Sequence, residues 1–382
     1  MKHNRKIIYL AGFLFSIPVA ITTYINSSFL ETYVNTNFVA IIYVIASFAT
    51  ILSLLEMPRI LTYLGNRKTS ILFSIIAFLS LIFITLGNKG FIVIPAFIIY
   101  FMSINFIFTS LDIFMEDFSR NSTIGRFRGF YLMIINSAWV IAQLISGSII
   151  TKSSFKGVYL FAAGFIALVS FIFVLFLHDF KDPKYKKVPI IKTIWFFIQN
   201  KNISKIYFIN FILKFFFVWM IIYTPIYLHE YLQFSWNEIG IIFTVMLLPF
   251  IILEFPLGKL SDKIGEKKLL TIGFSIITLF TLTIPLIHVP ELWLWASILF
   301  LTRVGAAIIE VMSETYFFKS INEENIAAIS FFRNTTPLAF VIAPLCAIPV
   351  ILLVPSFEYL FFVLGAILLC GFLISLRLRD VK

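Results

Sequence analysis

Residues 253–268 read Leu253-Glu254-Phe255-Pro256-Leu257-Gly258-Lys259-Leu260-Ser261-Asp262-Lys263-Ile264-Gly265-Glu266-Lys267-Lys268, a polar loop punctuated by glycine between two apolar runs, 236–257 and 269–288. The stretch has a partner upstream. At a constant offset of 198, Leu55-Glu56-Met57-Pro58 match Leu253-Glu254-Phe255-Pro256, and the same offset pairs Asp112 with Glu310, Glu116 with Glu314 and Asn136 with Asn334. An offset kept across three apolar runs implies that the chain holds two related halves.

Apolar runs of about 20 residues are long enough, at 1.5 Å rise each, to cross a bilayer. Working outward from the loop, twelve are found: 7–29, 37–57, 68–87, 91–112, 130–152, 157–178, 204–229, 236–257, 269–288, 291–317, 326–353 and 357–377. Of the 382 residues, 60% are hydrophobic and 13% charged, which excludes a water-soluble domain and a disordered chain. Cys346 and Cys370 both lie in apolar runs, so neither a disulfide framework nor a zinc site is expected. The net charge of +11 does not point to nucleic acid, because its Lys and Arg are scattered between apolar stretches instead of lining one face. The first run follows Lys2, Arg5 and Lys6, as a signal peptide would. It is too long for a cleaved one and lacks a small-residue cleavage site, so it reads as the first span.

Placing the N-terminus in the cytoplasm puts 25 of the 30 Lys and Arg on the inside and only Lys89, Lys152 and Lys156 outside, with Lys214 and Arg303 within spans. The asymmetry follows the positive-inside rule and sets both termini in the cytoplasm. The expectation is an all-α integral membrane protein of twelve transmembrane helices in two pseudo-symmetric six-helix bundles, 1–178 and 204–382. A central loop, 179–203, joins them. Its second part, Ile190 to Asn200, mixes Trp195, Phe196 and Phe197 with Lys192 as an interfacial helix does.

The stretch Gly258 to Lys268 resembles the signature loop of the major facilitator superfamily, G-x-L-x-D-[RK]-x-G followed by basic residues. Glu254-x-Pro256-x-Gly258 is similar to many members as well. Two departures stand out. Glu266 replaces a usual basic residue, and the first-half copy keeps Gly65-Asn66-Arg67-Lys68 but has Thr62 at the aspartate position. The resemblance implies the superfamily's fold and alternating access by rocking of the two bundles in the cytoplasmic membrane. It also implies gating by Gly258, Asp262, Lys263 and Gly265. In that scheme Asp262 would place its carboxylate against the start of the fifth span, near Arg126 and Arg128, where helix N–H groups favour an anion.

Charges inside the bilayer carry the rest, since each is expensive unless paired or wet. Arg303, Ala307, Glu310 and Glu314 share one face of the tenth run, and the repeat puts Asn105, Asp112 and Glu116 on the matching face of the fourth. The resemblance implies that spans 1, 4, 7 and 10 line a central cavity. Span 1 offers Thr23, and span 7 offers Asn210 and Lys214 one turn apart. Lys214 and Glu310 fall at depths differing by about 3 Å, so Lys214 either pairs with Glu310 or binds substrate. The planar fork of Arg303 suits a carboxylate or phosphate, unless it reaches Glu310 about 10 Å away. Surroundings of low dielectric favour a neutral carboxyl, which makes Glu310 and Asp112 candidate proton carriers.

The expected function is secondary active transport of a small anionic or zwitterionic solute, with coupling to a proton as one reading. Expected partners are the small-molecule substrate and membrane lipids, with no cofactor, no metal, no nucleic acid and a monomeric chain. The alternatives are a proton-coupled drug exporter of the same superfamily, whose G-P-x-x-G-G motif is missing from span 5, and more remotely a membrane-embedded enzyme.

Overall fold

The computed structural model describes residues 2–118, 124–177, 182, 190–321 and 326–379. Within these ranges the side chains of 2–5, 115–118, 124–130, 132, 190, 254, 255, 258, 259, 261–263, 326, 327, 329 and 330 lie outside the description. A bilayer core offers backbone groups no water, so each span must close its own hydrogen bonds. Every regular element among the described residues is accordingly helical.

Residues Met1–Lys187 form one compact unit. It contains α1 (Lys2–Thr23), the short α2 (Asn26–Glu31), α3 (Thr36–Leu64), α4 (Asn66–Leu86), α5 (Gly90–Phe118) and α6 (Ile124–Phe176). The expected first span is thus broken after Thr23. There the hydroxyls of Thr22 and Thr23 fold back onto the carbonyls of Pro18 and Val19, at 2.9 and 2.6 Å, a bond that competes with the helical ladder and bends it. Helix α6 is interrupted at Ser154, whose φ of 62° is non-helical, so it holds the fifth and sixth spans in succession.

The second unit covers Val188–Lys382. Its elements are α7 (Ile190–Gln199), α8 (Lys201–Ile226), α9 (Trp236–Ile264), α10 (Glu266–Thr283), α11 (Leu292–Ser320), α12 (Ile326–Arg333), α13 (Thr335–Leu353) and α14 (Tyr359–Leu376). Helix α8 runs on into a π-turn over Tyr227–Tyr231. The expected eleventh span divides at Asn334 into α12 and α13. Helix α7 belongs to this unit, so the division of the chain falls inside the expected central loop. Eleven helical segments among the described residues are long and apolar enough to cross a membrane, and the break in α6 makes twelve spans.

The duplication shows in the packing of each unit. In the first, α5 packs against α1, α3 and α4, and α6 against α1 and α4. In the second, α11 packs against α8, α9 and α10, while α13 lies on α8 and α14 on α10. It shows also in the turns. Gly65 and Gly265, at φ of 77° and 82°, close the second and eighth spans in a conformation that side chains avoid. The next residue is buried in both units. Asn66 donates through Nδ2 to the Ser110 carbonyl on α5 at 3.0 Å, whereas Glu266 meets Lys319 at the end of α11, Oε1 to Nζ 2.7 Å. The unexpected acid at 266 is therefore a brace. In the first turn of α10 its charge also suits the helix dipole.

Close approach of α10 and α11 fixes the rotation of α11. A Cβ at Gly305 would lie 2.6 Å from the Gly273 carbonyl oxygen and from the Ile277 nitrogen. Both are backbone atoms and cannot swing away. Gly305→Ala is expected to lower the thermal midpoint of the purified protein, at an overpacking cost of about 1–3 kcal/mol. Gly164→Ala, where a Cβ meets nothing within 4 Å, is expected to leave the midpoint unchanged in the same thermal scan.

Candidate functional site

Two cations and one acid converge in the second unit. Helix α8 carries Lys214 and α11 carries Arg303 and Glu310, seven residues apart on one face. The Lys214 Nζ lies 2.6 Å from Glu310 Oε1, a charge-assisted bond between the seventh and tenth spans. The side chains keep 18% and 26% of their surface, so the pair is only partly buried. Arg303 is 1% exposed. Its guanidinium carbon stands 4.8 Å from the ring centre of Phe216 and 5.5 Å from that of Phe217. The Lys214 ammonium is 5.3 Å from the same Phe217 ring. The Phe217 ring is thus shared by both cations. Each such contact contributes about 0.5–2 kcal/mol, the upper end when water is excluded.

One turn from Lys214, Asn210 is buried and hydrogen-bonded through both its amide nitrogen and its amide oxygen. It donates to Ser313 Oγ at 3.2 Å and accepts from Thr335 Oγ1 at 2.7 Å, tying α8 to α11 and α13. Ser313 Oγ in turn donates to the Glu310 carbonyl at 3.1 Å. The amide expected to face substrate is a polar floor beneath the ion pair, and it fixes the register of the three helices.

The sequence-derived residues of the first unit are more dispersed. Asn105 Nδ2 donates to the Phe101 carbonyl at 2.8 Å within its own helix, and Asp112 is half-buried two turns further along α5. The Thr23 hydroxyl is committed to α1, and Thr22 makes the contact between helices, 3.2 Å from the Tyr100 hydroxyl. Gln143, inside α6, donates to the Ala20 carbonyl at 2.6 Å and holds α6 on α1. The gating side chains Asp262, Lys263, Arg126 and Arg128, and the surroundings of Gly258, lie outside the described residues. Gly265 is described and forms the turn into α10. Among the described residues no group of three His, Cys, Asp or Glu could hold a metal ion.

A sequence profile described as the Major Facilitator Superfamily matches residues 8–237 and 203–382. The chain belongs to the major facilitator superfamily. It is a multi-pass membrane transporter, and its twelve spans are those of the superfamily's two-bundle fold. A solved nucleoside transporter, NupG, superposes with a TM-score of 0.78 at 10% identity, covering 99% of this chain and 100% of that one. An auto-inhibited peptide transporter of the POT family gives 0.79 at 12% identity, covering 100% and 98%. A second POT-family transporter, PepTSo, gives 0.78 at 9% identity over 99% and 97%. No curated protein matches the sequence. At such identities the likeness is one of fold, and the site has to be read from this transporter's own residues.

Phe216 and Phe217 escape sequence reasoning because they are two of 47 phenylalanines. The signal that finds them is spacing, since Phe217 follows Lys214 by three residues and so shares its face. Removing one member of a partly buried pair strands the other, whereas removing both leaves no orphaned charge. Lys214→Met and Glu310→Met are each expected to lower the thermal midpoint. The double variant is expected to recover most of that loss, as a double-mutant cycle in detergent or nanodiscs would read.

Proposed function

We propose that the protein is a secondary transporter of a small anionic or zwitterionic solute, that Arg303 receives the solute's anionic group, and that the Lys214–Glu310 pair couples its binding to a proton. The observation that carries the reading is the convergence of two cations and one carboxylate around Phe217. With Glu310 ionised, its charge is spent on Lys214. Once Glu310 is protonated, the ion pair is dissolved and the cluster gains one positive charge. An anion is then attracted by Lys214 as well as by Arg303. Proton and anion binding therefore favour each other, and by linkage the coupling is reciprocal. Favouring both together over either alone is the requirement for carrying them in the same direction. The resting pair holds Lys214 partly out of water without an uncompensated charge.

Asn210, Ser313 and Thr335 support the cluster from below; in the first unit, Asn105, Asp112 and Thr23 are the residues assigned to solute and proton. Asp262, with Arg126 and Arg128, would bias the equilibrium between the two access states, and both termini would lie in the cytoplasm.

A panel of organic acids, amino acids and short peptides, scored by thermal stabilisation of the purified protein, identifies a ligand through its preference for the folded state. With that ligand in proteoliposomes, Arg303→Gln is expected to cut binding at least about tenfold, the loss of one charge-assisted bond. Glu310→Gln, a permanent mimic of the protonated acid, is expected to retain binding and counterflow but lose uptake driven by a pH gradient. Asp262→Asn is expected to fold normally and slow transport. PH-driven uptake at the wild-type rate in Glu310→Gln would remove the coupling role.

A further inference from the structure

Helix α7 is too short to cross a bilayer, yet it presents an apolar face. Its ten residues span about 15 Å. Ile191, Ile194, Trp195 and Ile198 recur at i, i+3, i+4 and i+7, and all four are exposed, Ile191 to 85% and Trp195 and Ile198 to 60% each. The opposite side is docked. Phe197 is buried with its ring 4.7 Å from Phe331, 5.4 Å from Tyr207 and 6.2 Å from Phe317, and Thr193 is buried beside it. The Phe197 carbonyl also accepts the Ser204 hydroxyl at 2.5 Å. The helix is therefore fixed, and its apolar face is held outward. One residue, Asn200, separates it from the start of spanning helix α8, so connectivity keeps it at the membrane–water boundary. Around it the sequence is basic. Residues 179–205 contain seven lysines against two aspartates, and one of those, Asp182, already accepts the Asn66 N–H at 2.6 Å.

We propose that α7 is a membrane-surface helix that reads anionic phospholipid. Its isoleucine and tryptophan face enters the boundary between headgroups and acyl chains, and the exposed Lys192 on the helix and Lys201 just beyond it hold the headgroup phosphates. The chemistry fits on three counts. An amphipathic helix with Trp on the apolar side and Lys at its edge is the form that lies in an interface. A basic segment next to a span is drawn to an anionic leaflet, the attraction growing with each Lys or Arg near the surface. Lys192 and Gln199 flank that face at its edge, at the level where headgroups meet water. The contact reaches the transport site through α11. Phe317, which receives Phe197, lies seven residues beyond Glu310 on the same face of that helix. Lipid occupancy of α7 thereby bears on the foot of the helix that carries Arg303 and Glu310.

The full-length protein is reconstituted into phosphatidylcholine vesicles with and without about one-third phosphatidylglycerol. Insertion is read with acyl-brominated phosphatidylcholine, which quenches tryptophan on contact. The Trp195 signal is the emission of wild type minus that of Trp195→Phe, and it is expected to fall by about half or more. Headgroup selection is read as the rise in thermal midpoint caused by phosphatidylglycerol. That rise is expected to shrink at least about twofold in Lys192→Gln/Lys201→Gln, with free glycerol phosphate unable to replace the lipid. All of these variants lie outside the proposed transport site, and wild-type yield and monodispersity confirm that they fold. An unquenched Trp195, whether the face is covered by the rest of the chain or by a second copy, overturns the proposal. So does a phosphatidylglycerol effect that survives neutralisation of the lysines.

Discussion

Hydrocarbon cannot solvate an ion, and each ionised group carried on the spans must find an opposite charge, an aromatic face or an aqueous pocket. Lys214 and Glu310 answer with one another and are only partly buried. Arg303 answers with the faces of Phe216 and Phe217. Because Phe217 serves both cations, the cluster is one electrostatic unit, and the protonation state of Glu310 is felt by everything in it. The neighbouring structure is arranged to hold that unit in place. Asn210 locks three helices below it through Ser313 and Thr335. The glycine contact at Gly305 brings α11 against α10, so that Arg303, two residues away, is held at a set angle.

The halves have kept their frame and diverged in their chemistry. Both turn at a glycine of positive φ, and both use the next residue to brace the start of one helix against the following one. The brace is a neutral amide in the first half and an ion pair in the second. The same divergence appears in the spans. At the offset of 198, Arg303 corresponds to Asn105, Glu310 to Asp112 and Lys214 to Ser16. Ser16 is buried and donates to the Gly12 carbonyl of its own helix at 2.8 Å. An acid is thus retained in both halves, but the two cations belong to the second alone.

How much of this was legible in the sequence depended on the kind of physics involved. Spans, the duplication and the break near Ser154 follow from hydropathy and offset, since burial in lipid is a property of whole segments. The approach of Lys214 to Glu310 was readable from helical rise, because depth in a bilayer acts as a coordinate shared by all spans. Which hydroxyl or ring faces a neighbour is set by helix rotation, and rotation is set by packing. Hence Thr23, expected to face the cavity, bonds within its own helix while Thr22 meets Tyr100, Asn210 is spent on Ser313 and Thr335, and the two phenylalanines beside Arg303 stood hidden among 47. The acid at 266 looked like a lapse from the superfamily pattern. Its reason, Lys319, lies 53 residues away on another helix.

The retention of an acid in both halves and of cations in only one has a consequence for how such a transporter divides its labour. A proton carrier needs an acid that alternates between a charged and a neutral state, and a lysine beside it makes that alternation visible to an anion. Asp112 corresponds to Glu310 but has a serine where Lys214 would stand, so protonating it releases no cation from that position. The proposed electrostatic switch therefore belongs to the second unit. The buried hydroxyls of the first, such as Tyr100 on Thr22 and Tyr159 on Asn26, are neutral and indifferent to a proton. On the proposed scheme a proton therefore changes the affinity for the solute through the second unit alone.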